Sequence, residues 1–256
     1  MSNTINWGKI QGLSYSPETN LTGTAAAPSF TNAKSIALDG VDDFVESNFN
    51  ADNYSSLSVS GWIKATNPQT DLNVIVANHY RNDTAPYFQF VFRIDSNGKL
   101  QFRIGNSSRD IFSLISTTTI RDNSWHHFTG TYNGVNLKIY IDGALENTSS
   151  ANGNLYATGN KTSIGSYIDV TSGSEVTNSN FLGNIDEVAV FNSELSASDV
   201  SAIYGTGVPN DISSLSPLSW WRCGDGDTSP TLTDNGSASN NGTMTNFTTF
   251  STDVPT

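Results

Sequence analysis

The stretch SWHHFTGTYNGVNLKIYIDGAL (residues 124–145) has the pattern of consecutive β-strands joined by tight turns. Within it, residues 126–132 and 137–142 alternate apolar and polar side chains, as strands with one buried face do. Asn133-Gly134 lies between the two runs and Asp142-Gly143 follows the second, and both dipeptides favour two-residue hairpin turns. The stretch therefore predicts two consecutive β-hairpins.

Strand-like runs of the same kind recur on both sides of this stretch. They comprise residues 57–65, 73–79, 87–95, 100–105, 161–167 and 184–191. One short helix is predicted after the last run, with Ser196 as its N-cap and Gly205 at its end. Many short strands with almost no helical periodicity predict an all-β, two-sheet antiparallel β-sandwich of the jelly-roll type.

Composition excludes several classes of partner. The chain of 256 residues has 24 acidic and 12 basic residues and a formal net charge of −12, which argues against nucleic acid because phosphate binding needs clustered cations. No stretch approaches the roughly 18 apolar residues of a membrane span.

Cys223 is the single cysteine, so no disulfide within the chain and no cysteine metal site is expected. The first residues lack a signal-peptide pattern, and we expect a protein made in a cytoplasm and not exported by the common route.

Five segments, in order, resemble the LamG-like modules of the concanavalin A-like lectin/glucanase jelly-roll superfamily. They are LDGVDDFVE (38–46), SVSGWIKA (58–65), the opening stretch (124–145), SIGSY (163–167) and LGNIDEVAVFNSELSASDV (182–200). The resemblance covers about two thirds of the chain and implies two antiparallel sheets of six or seven strands each, packed face to face.

The acidic segment at residues 39–46 is a candidate site. Glucanase relatives of this fold carry their catalytic acids in a Glu-x-Asp-x-x-Glu pattern on one strand, and this sequence has no such pattern. Asp42 and Asp43 are adjacent, so on a strand they face opposite ways. We therefore expect no catalytic residues and no enzyme activity.

Calcium is the alternative that the resemblance implies for the same segment. In this fold a calcium ion commonly joins an early turn to a late strand, and Asp186 matches the late position, while Asp39 and Gly40 match the early one. Asp42 or Asp43 would complete the shell, since calcium takes six to eight oxygen ligands. The remaining interpretation is a solvated turn in which Asp39 forms an Asx-turn.

The chain is predicted to have four parts: an N-terminal arm (1–33), the jelly roll (34–205), a linker (206–216) and a C-terminal tail (217–256). Trp220 and Trp221 would be costly to expose, and residues 242–247 have the pattern of a short strand. We expect the tail to pack on the jelly roll, or on a neighbouring subunit in a homo-oligomer, in place of a missing first strand.

The tail also resembles segments of virion-associated proteins from marine bacteriophages. The resemblance implies a non-enzymatic binding or decoration protein on a phage particle, with other virion proteins and host-surface glycans as partners. Two alternatives remain open: an extracellular carbohydrate-binding module of a secreted bacterial protein, and a degenerate polysaccharide lyase or hydrolase. Tyr80, Tyr87 and Tyr167 are the candidate sugar-stacking residues, unless they belong to the core or to hairpin ends.

Overall fold

The structure, a computed structural model, describes residues 30–66, 73–78, 87–169, 172, 176 and 179–256. The chain divides into residues 1–30 and residues 31–256, and the fold described below is that of the second unit. Most of the predicted N-terminal arm lies outside the described residues.

The described residues form fifteen β-strands and one α-helix. The strands are β1 (Ile36–Asp39), β2 (Phe44–Ser47), β3 (Leu57–Ala65), β4 (Asn73–Asn78), β5 (Phe90–Ile94), β6 (Lys99–Gly105), β7 (Ile111–Thr119), β8 (Trp125–Tyr132), β9 (Asn136–Ile141), β10 (Ala144–Ser150), β11 (Thr162–Ile164), β12 (Leu182–Phe191), β13 (Ser219–Trp221), β14 (Thr231–Leu232) and β15 (Gly242–Thr245). The helix is α1 (Ala197–Tyr204), and a short 3-10 turn spans Ser213–Leu215.

The strands form two antiparallel sheets, which confirms the predicted sandwich. A seven-stranded sheet has the order β1-β12-β3-β8-β9-β10, with β13 also paired to β12. An eight-stranded sheet has the order β14-β15-β2-β11-β4-β5-β6-β7. Between the sheets lies one apolar core that takes side chains from both, including Ile63 and Phe128 from one sheet and Phe92 and Phe102 from the other.

Local chemistry places the hairpins and the helix where the sequence predicts them. Gly98, Gly134 and Gly143 all have positive φ at the turns that join β5 to β6, β8 to β9 and β9 to β10. At α1, the Ser196 side chain accepts a hydrogen bond from the Asp199 backbone N–H, and Asp199 accepts one from the Ser196 N–H in return. Gly205 has φ +61° and ends the helix.

The C-terminal tail supplies strands to both sheets of its own chain. β13 pairs with the second half of β12, while β15 pairs with β2 and is flanked by β14. Trp221 is fully buried in the core, and its indole N–H donates to the Asn240 carbonyl at 2.9 Å. In the segment predicted as a linker, Ile212 is buried as well.

At the side of the sandwich opposite the tail, a carboxylate on β10 forms hydrogen bonds to β7 of the other sheet. Glu146 lies at an irregularity of β10 and accepts hydrogen bonds from the backbone N–H and side-chain hydroxyl groups of Thr117 and Thr118 on β7. These hydrogen bonds lower the pKa of Glu146 against the opposing effect of burial. Glu146 therefore ties an edge of one sheet to an edge of the other.

Helix α1 covers the solvent side of the seven-stranded sheet. Tyr204 stacks on Trp62 with ring centroids 5.8 Å apart, and His127 lies beside both rings. His127 is fully buried, its Nε2 lies 2.8 Å from the Ser60 hydroxyl, and burial lowers its pKa to about 3. The adjacent His126 instead binds Asp142, so the two histidines face different environments.

Removal of the tail should destabilise the domain. Truncation after Pro209 leaves backbone groups of β2 and β12 unpaired and opens the core, so we expect an aggregation-prone protein that the tail peptide partly rescues. The point variant Trp221→Ala should lose about 3–5 kcal/mol of unfolding free energy in urea titrations. Val41→Ala, at a side chain that is 67% exposed, is the control. A truncated protein that stays soluble, monomeric and equally stable would contradict this account.

His127 should make the domain less stable as the pH falls. The unfolded imidazole takes up a proton near pH 6.5, whereas the buried one resists protonation down to about pH 3. Between these values the unfolded state binds more protons, so stability drops by up to about 1.4 kcal/mol per pH unit. Urea unfolding measured from pH 7 to 4 should give a shallower acid loss for His127→Gln than for the wild type. Parallel curves would show that His127 does not contribute.

Candidate functional site

Two rows of side chains cross the solvent-facing side of the eight-stranded sheet, here called the outer face. The strand register places the first row in direct opposition from β15 to β7: Thr243, Glu46, Ser163, Ala77, Val91, Arg103 and Ser113. The second row runs from β4 to β7: Val74, Arg93, Gln101 and Ile115. Phe92 and Phe102, one position along their strands, lie in the core, so both rows face away from it.

An apolar cluster separate from the core lies on the outer face. It is formed by the buried side chains of Val74, Ala77, Phe88, Val91 and Tyr167, with Tyr87 packed against it. Two of the three tyrosines predicted to contact sugar are thus brought together, and the third, Tyr80, lies outside the described residues. Tyr87 is half-buried and has φ +69°, a conformation that non-glycine residues rarely adopt and that is concentrated at functional sites.

Planar polar groups flank this cluster. Arg93 Nε donates to Gln101 Oε1 at 2.6 Å, and Gln101 Nε2 donates to Ser113 Oγ at 2.9 Å. The guanidinium of Arg103 lies over the Phe88 ring, 4.8 Å from its centroid. The outer face therefore combines the half-buried ring of Tyr87 with fixed hydrogen-bonding groups, as small-molecule sites combine aromatic and polar groups.

The acidic turn brings together three of the five predicted metal ligands. Carboxylate oxygens of Asp39, Asp42 and Asp43 lie within 4.8 Å of one another. Asp39 also forms the Asx-turn, because its Oδ1 accepts from the Val41 backbone N–H at 2.8 Å, and Gly40 has φ +76° in this turn. Burial, and secondarily the charges of Asp39 and Asp42, raises the pKa of Asp43.

The structure does not bring Asp186 and Gly40 into one shell, contrary to the sequence-based expectation. The register of β1 against β12 pairs Asp39 with Leu182 and Ile36 with Ile185, so Gly40 and Asp186 diverge from the paired region in opposite directions. At about 3.3 Å per residue, the four residues from Leu182 to Asp186 alone separate them by roughly 13 Å. The turn acids and Asp186 therefore belong to two different clusters.

Asp186 lies in a gap along the edge of β12. β1 pairs with Leu182–Ile185 and β13 pairs with Val188–Val190, so Asp186 and Glu187 fall between the two partners. Glu187 has φ +50°, and the pairing with β3 is irregular at the same point. Asp186 is fully buried.

The gap is rich in carboxylates. Asn32 Nδ2 donates to Asp186 Oδ2 at 2.9 Å, whereas Asp186 Oδ1 and Asn32 Oδ1 are buried without a hydrogen-bond partner. Glu187 accepts from Trp220 Nε1 at 2.5 Å and from Arg222 Nε at 3.1 Å. Arg222 is also 3.6 Å from Asp225.

Burial dominates the titration of this cluster. Burial and the neighbouring Glu187 charge raise the pKa of Asp186 well above its usual value. Burial raises the pKa of Glu187 to about 7 against the opposing effect of Arg222. Burial therefore favours the neutral forms of Asp186 and Glu187, although Arg222 stabilises the charged form of Glu187.

Several site residues were missed by the sequence-based analysis. Arg93, Gln101 and Arg103 occupy the polar positions of FVFRI and KLQFRIG, so strand alternation could have placed them on one face. Asn32 and Arg222 reach Asp186 and Glu187 only through pairings more than 30 residues apart in sequence, and no local pattern marks them.

The fold has clear relatives among proteins of known structure. It superimposes on a heptameric SAP-like pentraxin from Limulus polyphemus with a TM-score of 0.55, at 17% identity over 68% of this chain and 82% of that chain. A Bacteroides ovatus ATCC 8483 protein gives a TM-score of 0.63 at 17% identity, over 88% of this chain and 62% of that one. Domain 4 of the extracellular arabinanase AbnA from Geobacillus stearothermophilus, solved with arabinotriose, gives 0.51 at 16% identity, over 66% and 76%.

These identities establish a shared fold. No curated protein sequence matches the chain significantly. The described residues contain no helix long and apolar enough to cross a membrane.

A family model described as the concanavalin A-like lectin/glucanases superfamily matches residues 39–201, well over half of the chain. The chain therefore belongs to the concanavalin A-like lectin/glucanase superfamily.

Proposed function

We propose that this jelly roll is a non-enzymatic carbohydrate-binding domain whose ligand lies on the outer face of the eight-stranded sheet. The observation that carries the proposal is the convergence of Tyr87 and Tyr167 in one apolar cluster beside Arg93, Gln101 and Ser113. A sugar ring has one apolar face and a polar rim. The half-buried ring of Tyr87, bordered by fixed amide and guanidinium groups, complements both.

The similar structures support the same class of ligand. The AbnA domain that superimposes on this chain was solved with arabinotriose. The chain is also similar to the CBM40 of a Ruminococcus gnavus IT-sialidase, with a TM-score of 0.54. The Limulus pentraxin is heptameric, and self-association of the present chain stays a prediction.

Binding is favoured over catalysis by the groups that the outer face presents. Canonical glycosidases use two carboxyl groups on either side of the scissile bond. The two described rows hold one carboxylate, Glu46, and it is paired with Lys161. Arginine, glutamine and serine occupy the polar positions at the other end of the face.

A structural calcium ion at Asp186 is the second part of the proposal. The buried, unpartnered oxygens of Asp186 and Asn32 fit a hard cation, which oxygen ligands bind. A divalent cation beside them would also favour the charged forms of Asp186 and Glu187, which burial disfavours. The ion would hold the segment before β1 against β12, next to the tail.

Display on a bacteriophage particle, with other virion proteins as partners, stays a prediction from the resemblance of the tail, as does an extracellular location in the alternative case. Mass spectrometry of purified phage particles from the source of the sequence tests it. Peptides of this chain at a fixed ratio to a capsid or tail protein would support decoration. Their absence from intact particles would leave the secreted module as the better hypothesis.

Tyr87→Ala should weaken glycan binding without unfolding the domain. Tyr87 is half-buried at the border of the cluster, so its removal takes away stacking area and leaves the buried Phe88 and Tyr167 in place. For a ligand identified on a glycan array, calorimetry should show at least a tenfold loss of affinity, on the order of 1.4 kcal/mol. Leu145→Ala, at an exposed position of β10 in the other sheet, is the control. Equal affinity of the two variants would place the ligand elsewhere.

Calcium should stabilise the wild type through Asp186 and not through the acidic turn. At 100 times its dissociation constant, a ligand specific for the native state adds about 2.7 kcal/mol, or roughly 5–10 °C in Tm for a domain of this size. Differential scanning fluorimetry with calcium and with a chelator should show this shift for the wild type and for Asp42→Asn. Asp186→Asn should abolish it. A shift lost in Asp42→Asn and kept in Asp186→Asn would assign the ion to the turn.

A further inference from the structure

Arg93 and Arg103 are the two arginines in the rows of the outer face described above. The chain has a formal net charge of −12, and several of its described cations form ion pairs with carboxylates. These ion pairs are Lys64–Asp253, Lys138–Glu194, Lys161–Glu46 and Arg222–Glu187. The Arg93 side chain instead donates to the neutral amide of Gln101.

Two arginines are close neighbours on this face. Arg93 pairs with Gln101 and Val91 pairs with Arg103, so Arg93 and Arg103 are diagonal neighbours on β5 and β6. Diagonal neighbours on adjacent strands are about 7–8 Å apart. A carboxylate group between them would contact both guanidinium groups.

Neighbouring groups fix one of these guanidinium groups before any ligand arrives. The hydrogen bonds from Arg93 to Gln101 and from Gln101 to Ser113 cross three strands. The first of them uses Nε of Arg93 and leaves its two terminal nitrogens, which form a planar fork that matches a carboxylate. Preorganisation of this kind reduces the entropic cost of binding.

The nearest acidic side chain on the same strand is already engaged. Asp95 follows Arg93 by two residues, and its Oδ1 accepts hydrogen bonds from the backbone N–H groups of Asn97 and Lys99, each at 2.9 Å. Asp95 therefore serves the β5–β6 turn. On the other side of Arg103 lies the aromatic cluster of Phe88, Tyr87 and Tyr167.

We propose that the outer face selects acidic saccharides, with the carboxylate of a uronic acid held by Arg93 and Arg103 and the sugar ring against Tyr87, the half-buried aromatic residue of the cluster. This inference rests on the carbohydrate-binding function proposed above and specifies its ligand class. A protein with a net charge of −12 repels polyanions at long range, so binding of an acidic glycan reports a local site and not general attraction.

The test compares oligogalacturonic acid with its methyl ester, which keeps the ring and removes the charge. Calorimetry on the full chain at physiological salt should give at least tenfold tighter binding of the acid form. Arg93→Gln and Arg103→Gln should each reduce that affinity tenfold or more and leave binding of the ester unchanged. Lys138→Gln, which removes one positive charge from the other sheet, should bind like the wild type.

The outcomes separate this inference from the proposed function. Equal binding of acid and ester, unaffected by the arginine variants, would overturn the acidic ligand and keep carbohydrate binding. Binding of sulfated but not of carboxylated oligosaccharides would overturn the uronate assignment. Failure of every neutral and acidic glycan on an array to bind the folded protein would overturn the proposed function itself.

Discussion

The fold depends on the pairing of a single long strand. β12 has ten residues, but β1 has only four and covers only the first part of its free edge. Unpaired backbone groups on a buried strand are costly, so the remainder of that edge needs another partner. β13 provides it, and the rest of the tail then crosses to the eight-stranded sheet and pairs with β2. The unequal lengths of β1 and β12 thus explain why residues far beyond the superfamily match are part of the core.

The same division of β12 concentrates charge. Where one partner ends and the next begins, the backbone departs from regular pairing, and Asp186 and Glu187 lie at that point. Buried carboxyl groups need partners, and Trp220 and Arg222, which come from the tail, supply them to Glu187. Asp186 accepts a hydrogen bond from Asn32 on Oδ2, whereas its Oδ1 is buried without a hydrogen-bond partner. Tail docking and the chemistry of the gap are therefore coupled, because removal of the tail also removes Trp220 and Arg222, which donate to Glu187.

The features that the sequence predicts depend on residues close together in the chain, whereas the features that it misses depend on residues far apart in the chain. Hairpins at Asn133-Gly134 and Asp142-Gly143 and the Ser196 cap depend on residues within a few positions of one another, and local chemistry is enough to place them. The metal shell of Asp186 and Gly40 needed the register between strands almost 150 residues apart, and the register differs from the expectation. The outer face was predicted in part. Tyr87 and Tyr167 were selected as aromatic residues, but their proximity, and the arginines beside them, follow from pairings across the eight-stranded sheet.

The two solvent-facing sides of the sandwich are used differently. On the seven-stranded sheet, α1 covers Trp62 and His127, so the aromatic surface there is buried against the helix. On the eight-stranded sheet, Arg93, Gln101 and Ser113 are half-buried or exposed and bonded to one another. Side chains that stand on adjacent strands of a rigid sheet hold their spacing better than side chains on loops. A shape-specific ligand is therefore best served by the second side, where strand register sets the distance between the guanidinium groups and the aromatic cluster.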